Sequence, residues 1–159
     1  VPILIYKAEN DPELNVKEAA VNALAEIGGN EAFSTISQLF SSENTTYSLR
    51  LTALENLIDK KVADSLEVIQ QEIDEHWNDP QYRFVSQICS TLAESKAPEL
   101  QSLFTRLLQH PHFLIQICAL RGIQRNGFTE LREKVEIFTE ESYPKQVQKT
   151  ARSVLNSFE

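Results

Sequence analysis

The sequence predicts an all-α fold, an α-α superhelix of about four helical hairpins followed by a terminal helix. Three observations predict it. Apolar residues fall four apart over stretches of helical length, which places them on one stripe of a helix. Those stripes realign when the chain is shifted by one repeat, the sign of a repeat architecture. Pro12, Pro80, Pro111 and Pro144 punctuate the shifts, and one unit between Pro12 and Pro80 lacks its proline. No stretch shows a sustained strand alternation.

Taken in order, Val1 to Ala8 reads as the end of a helix of the second of two types. A helix of the first type follows over 12–27, carrying Val16, Ala20 and Leu24 on its stripe. Pro12 after Asp11 suits a first helical position with a carboxylate at the cap, and Gly28 suits the left-handed exit. A second-type helix is expected over 30–42, with Ile36, Leu39 and Phe40 inward. The first type returns over 46–60 through Leu49, Ala53 and Leu57, and the second over 62–76 through Ile69 and Ile73. In that helix Glu72 takes the place of an apolar residue. The pattern then gives 80–95 (Phe84, Ile88, Leu92), with Asp79 before Pro80, and 97–110 (Phe104, Leu107, Leu108). It continues with 111–126 (Ile115, Ala119, Ile123) ahead of Gly127, and with 128–141 (Val135, Phe138), where Thr139 breaks the column. The last helix is 144–158 (Val147, Ala151, Leu155). Each hairpin of roughly 31 to 35 residues cannot bury its apolar face alone, so neighbours must stack.

Composition narrows the function. The 159 residues are 42% hydrophobic and 24% charged, with 4 Gly and 6 Pro, which excludes collagen-like, low-complexity and disordered classes. The net charge of −8 opposes nucleic-acid or anionic-membrane binding, since phosphate neutralisation needs clustered Lys and Arg. No apolar run approaches the length of a span, and Val1 to Tyr6 is too short for a signal peptide. The 2 cysteines cannot make a disulfide framework, and a cytoplasmic location is expected. There is no methionine at all, an initiator included, so residues 1–159 read as a single domain that is a fragment of a larger protein.

The run Asp11-Pro12-Glu13-Leu14-Asn15-Val16-Lys17-Glu18-Ala19-Ala20, with Ala23-Leu24-Ala25-Glu26-Ile27-Gly28 after it, resembles a HEAT repeat. The likeness is to the short bacterial type first described in phycobilisome lyases. Asp79-Pro80, Ala119 and Arg50, which aligns with Lys17, echo it in later units, where Val85, Gln116 and Gln148 replace the basic residue. Ankyrin and tetratricopeptide signatures are absent. The resemblance implies an armadillo-like solenoid whose second-type helices line the concave side.

Chemistry-bearing residues are few. His110-Pro111-His112 lacks Cys, Asp or Glu at ligand spacing, so inter-repeat turn residues are expected rather than a metal site. His76-Trp77 marks another hairpin boundary, and Trp77 reads as packing under a loop. Cys89 and Cys118 lie near the buried stripe with no basic residue or His at helical spacing, which reads as inert core thiols. Glu72 to His76 groups carboxylates with a histidine, but adjacent helical positions face different ways. No Gly-rich phosphate loop or Gly-x-Ser-x-Gly is present. No catalytic residue, metal or cofactor is expected, and the chain is read as a non-enzyme.

The polar face of the second-type helices is the informative feature. The aligned rows Ser34/Glu67/Ser102/Glu133, Ser37/Gln70/Thr105/Glu136, Gln38/Gln71/Arg106/Ile137 and Ser41/Asp74/Gln109/Glu140 are polar except at Ile137. Residues 62–76 hold five carboxylates and no Lys or Arg. The expected role is a non-catalytic protein–protein interaction scaffold that binds a protein or peptide, preferably basic. Its docking residues are Glu67, Gln70, Gln71, Asp74, Arg106, Gln109, Glu133, Glu136 and Glu140. The alternatives are an accessory domain of a larger enzyme, a chromophore-lyase-like protein, and, behind both, a nucleic-acid binder. The sequence does not set the oligomeric state.

Overall fold

A computed structural model describes residues 1–159, all helices, turns and loops with no strand. The helices are α1 (Pro2–Asn10), α2 (Leu14–Ile27), α3 (Asn30–Ser41), α4 (Tyr47–Glu75) and α5 (Arg83–Ala93). They continue with α6 (Gln101–Leu108), α7 (Phe113–Asn126), α8 (Arg132–Glu136) and α9 (Lys145–Ser157). The chain divides into two compact units, Val1–Asp74 and Glu75–Glu159. None of the helices is long and apolar enough to cross a membrane.

The expected columns become the core. Ile36, Ile69, Phe104 and Val135 are fully buried, as are Ala53, Ile88, Ala119 and Ala151 in the first-type column. Ala20, Leu24, Leu57, Leu92 and Ile123 join them. Full burial of a Leu, Ile or Phe is worth about 1.5–3 kcal/mol each, so these columns supply most of the folding drive. Two column members depart. Val16 falls in the first turn of α2 and stays exposed, and Leu155 is only half-buried in α9.

Within each unit, neighbouring first-type helices lie side by side and parallel. In the first unit Ser48 Oγ donates to Glu18 Oε1 (2.9 Å) and Asn56 Nδ2 to Asn22 Oδ1 (2.8 Å), while Lys60 Nζ pairs with Glu26 Oε1 (3.2 Å). The partners rise in number together, which only parallel helices one repeat apart allow. In the second unit Asn126 Nδ2 donates to the Ser95 carbonyl (3.0 Å), and Asn126 Oδ1 accepts from the Ala97 amide (2.9 Å). That pair ties the end of α5 to the end of α7 in the same sense.

The unit without a proline shows how little is needed to turn the chain. Residues 46–60 and 62–76, expected as two helices, run on as α4 with a single non-helical residue, Lys61, at φ −143° and ψ 40°. Elsewhere the prolines act differently from expectation. Asp11 does not cap α2; its carboxylate accepts from the Glu13 amide (2.9 Å) in a tight turn, and the helix begins after Pro12 and Glu13. Asp79 caps nothing either. Pro80 opens a 3₁₀ turn, Pro80–Tyr82, in which Gln81 and Tyr82 take positive φ (66° and 51°), and the Asp79 carboxylate pairs with His76 Nδ1 instead. Short polar side chains here satisfy the turn rather than the helix, a competition that sequence spacing alone does not resolve. The expected 97–110 and 128–141 helices shorten to α6 and α8, with 3₁₀ turns before each and after α8.

Gly127 leaves its helix in the left-handed region (φ 64°, ψ 39°), as the sequence predicts, whereas Gly28 has positive φ (77°) with an extended ψ of −168° instead of a left-handed turn. Gly122 has another purpose. A Cβ there would lie 2.3 Å from Phe104 Cε1, so the Phe104 ring rests directly on the backbone of α7.

Candidate functional site

Glu67, Gln70, Gln71 and Asp74 lie on the second half of α4, in the first unit. Their spacing of three, four and seven along a helix puts Glu67, Gln70, Gln71 and Asp74 on one face. Glu67, Gln71 and Asp74 are exposed and Gln70 is half-buried. Gln70 Nε2 donates to Asp74 Oδ1 at 3.1 Å, which fixes part of this face without neutralising it.

Glu72 on the same helix points the other way. It is buried, and Arg50 Nη2 donates to its Oε2 at 2.7 Å while Arg50 Nε donates to the Phe40 carbonyl at 2.7 Å. Glu72 therefore belongs to the core of the first unit and not to its acidic face. Both residues stood out in the sequence, Glu72 as the exception in an apolar column and Arg50 as the equivalent of Lys17. A carboxylate in an apolar column and a basic residue at the repeat's own basic position, in adjacent expected helices, were the available signal that they pair.

The remaining candidates fall in the second unit. Arg106 is on α6 and Gln109 directly follows its last residue, Glu133 and Glu136 are on α8, and Glu140 lies just beyond the following turn, Ile137–Thr139. The carboxylates and Gln109 are exposed. Gln109 also lines a cavity of about 230 Å³ with Thr105, Lys134, Ile137 and Tyr143, so the structure brings members of three expected rows to one hollow. Ile137, the apolar exception among the rows, is 47% exposed there.

Arg106 is less free than a docking residue on a bare helix. Its guanidinium stacks on the Trp77 ring at 3.7 Å, and its Nη1 donates to Gln109 Oε1 at 3.2 Å. Beneath that stack, His110 Nε2 donates to the Trp77 carbonyl (3.0 Å) and His110 Nδ1 accepts from the His112 amide (3.0 Å). His112 Nδ1 in turn accepts from Leu114 at the start of α7 (3.2 Å). The imidazoles of His110 and His112 thus act as turn and cap, and Tyr82 packs against both rings (4.7 and 5.2 Å). Burial pushes the His110 pKa down, helped by the nearby charges of His112 and Arg106 and opposed by the hydrogen bond to Trp77. A neutral His110 fits its bonding, since Nδ1 must stay unprotonated to accept.

The cysteines differ from expectation. Cys89 on α5 is fully buried, but Cys118 on α7 is half-exposed. Arg121, one helical turn beyond Cys118, is the basic residue at helical spacing that the sequence reading passed over. The Cys118 thiol is lowered to about 7, chiefly by a hydrogen bond from Cys89, then by Ser90 and Arg121, against burial and Glu94. Cys89 is pushed up by the same bond and by burial.

No protein-family model matches this chain, and no curated protein matches it significantly.

Proposed function

We propose that this chain is a non-catalytic interaction module built from HEAT-like repeats, which holds a basic protein or peptide through the polar face of its second-type helices. One observation carries the reading. The helices that bury Ile36, Ile69, Phe104 and Val135 present exposed carboxylates on their polar rows, Glu67 and Asp74 in one unit and Glu133 and Glu136 in the other, with Glu67 and Glu133 at the same repeat position. Rows of exposed like charge steer oppositely charged partners. The parallel pairing of first-type helices one repeat apart supports the HEAT-like assignment. Affinity capture with the chain as bait, repeated with Glu67→Lys/Asp74→Lys, tests it. A partner that the parent chain retains and the reversed variant loses supports the module. A partner held equally by both, and lost when Lys17 or Lys149 is reversed, places docking on the first-type helices instead.

A further inference from the structure

The two thiols of the second unit sit in unlike surroundings. Cys118 opens onto a cavity of about 570 Å³ between α5 and α7, whose wall also holds Ser90, Glu94, Lys96, Arg121 and Arg125. Three cations against one carboxylate make this hollow basic in a chain of net charge −8. The volume is within the range of small-molecule sites. Cys118 Sγ donates to Ser90 Oγ at 3.8 Å, and its other neighbour is the Cys89 thiol, whose S–H turns to it from the buried side when Cys118 ionises. While Cys118 is a thiol, Cys89 donates to the Ile115 carbonyl at 3.9 Å, and its sulfur faces inward.

We propose that Cys118 is a thiolation site for small anionic disulfides of the glutathione disulfide class, with Cys89 and Arg121 as the residues that hold its thiolate. The Cys118 thiol gives its proton to solvent, and the thiolate attacks one sulfur of the incoming disulfide. The reagent's S–S bond breaks, a mixed disulfide forms on Cys118, and the other half leaves as a thiolate that takes up a proton. Cys118 is oxidised and the departing half is reduced, so no other oxidant enters. Lys96, Arg121 and Arg125 favour carboxylate-bearing reagents in the cavity. Cys89, buried and held protonated, does not compete as the nucleophile.

The full chain, incubated with oxidised glutathione and followed by intact mass and peptide mapping, tests the site. The expected product is one glutathionyl adduct on Cys118, reversed by dithiothreitol and absent in Cys118→Ser. Its rate should rise as pH passes about 7, and Cys89→Ala should move that rise to higher pH. Relative to a free peptide thiol, glutathione disulfide should react severalfold faster than the cationic disulfide cystamine, a preference that Arg121→Gln/Arg125→Gln diminishes. Thermal melts establish that each variant is folded. No adduct on the folded protein, an adduct on Cys89, an intrachain Cys89–Cys118 disulfide in its place, or a preference for cystamine would each overturn the proposal.

Discussion

Arg50 and Glu72 meet at 2.7 Å in the first unit, with their side chains only 1% and 4% exposed. The pair joins the first half of α4 to the second across the kink at Lys61, and the Phe40 carbonyl holds the same guanidinium from α3. Three segments therefore share one buried charge. Removing one partner leaves the other uncompensated, which costs about 3–5 kcal/mol. Arg50→Met and Glu72→Leu should each lower the unfolding free energy read from urea titrations by that amount. The double substitution should recover much of the loss, because an apolar pair of similar volume needs no desolvation. If the double variant is as unstable as the sum of the singles, the two residues do not act as a pair.

Close packing of the second unit turns on Gly122. Its missing Cβ is the space the Phe104 ring occupies, so Gly122→Ala forces the ring or the helix to move. Overpacking of this kind costs about 1–3 kcal/mol, and Phe104→Leu in the same chain should relieve part of it. Ala53→Leu, at a fully buried alanine in the first unit, should cost a similar amount. Thermal melts of the three variants check both positions; unchanged melting of Ala53→Leu would show room where none is expected.

Helix positions were legible because burial leaves a period. Ile36, Ile69, Phe104 and Val135 read correctly because each answers to one demand, removal from water. Helix starts were less legible. Asp11 and Asp79 each had two uses open to them, capping a helix or closing a turn, and the spacing to the following proline is the same for both. The Arg50–Glu72 pair was visible only as one exception, Glu72, and one repeat residue, Arg50, since a pairing across helices leaves no periodic trace. Cys118 was misread for a simpler reason. Arg121 is at helical spacing from it, and its half-exposure depends on how α5 and α7 meet, which no stripe records.

His110 gives the second unit a pH dependence. Its folded pKa lies below the ordinary 6.5, chiefly because burial disfavours the imidazolium. The unfolded chain then takes up its proton first as pH falls. Stability is fully present above about pH 6.5 and declines as pH falls toward the folded pKa. Protonation would also turn Nδ1 from acceptor to donor against the His112 amide, breaking the turn before α7. Urea midpoints at pH 7.5 and pH 5 should fall further for the parent chain than for His110→Gln. Equal falls would assign the acid sensitivity to other groups.

The charge rows can be separated by unit, and Trp77 supplies a signal for one of them. It is the only tryptophan, and Arg106 lies 3.7 Å from its ring. Docking of a basic partner on α6 and α8 should disturb that stack and change the emission of Trp77, a change that Glu133→Lys/Glu136→Lys should diminish. Arg106→Ala should shift the emission to the red without unfolding the chain. Glu67→Lys/Asp74→Lys and Glu133→Lys/Glu136→Lys should each weaken a partner. Each should also flatten its dependence on salt, because fewer exposed charges are left to screen. All four carboxylates are exposed, and such substitutions usually change stability by about 0.5 kcal/mol or less, so lost affinity would report the surface. A partner that is insensitive to salt and to both reversals binds elsewhere on the molecule.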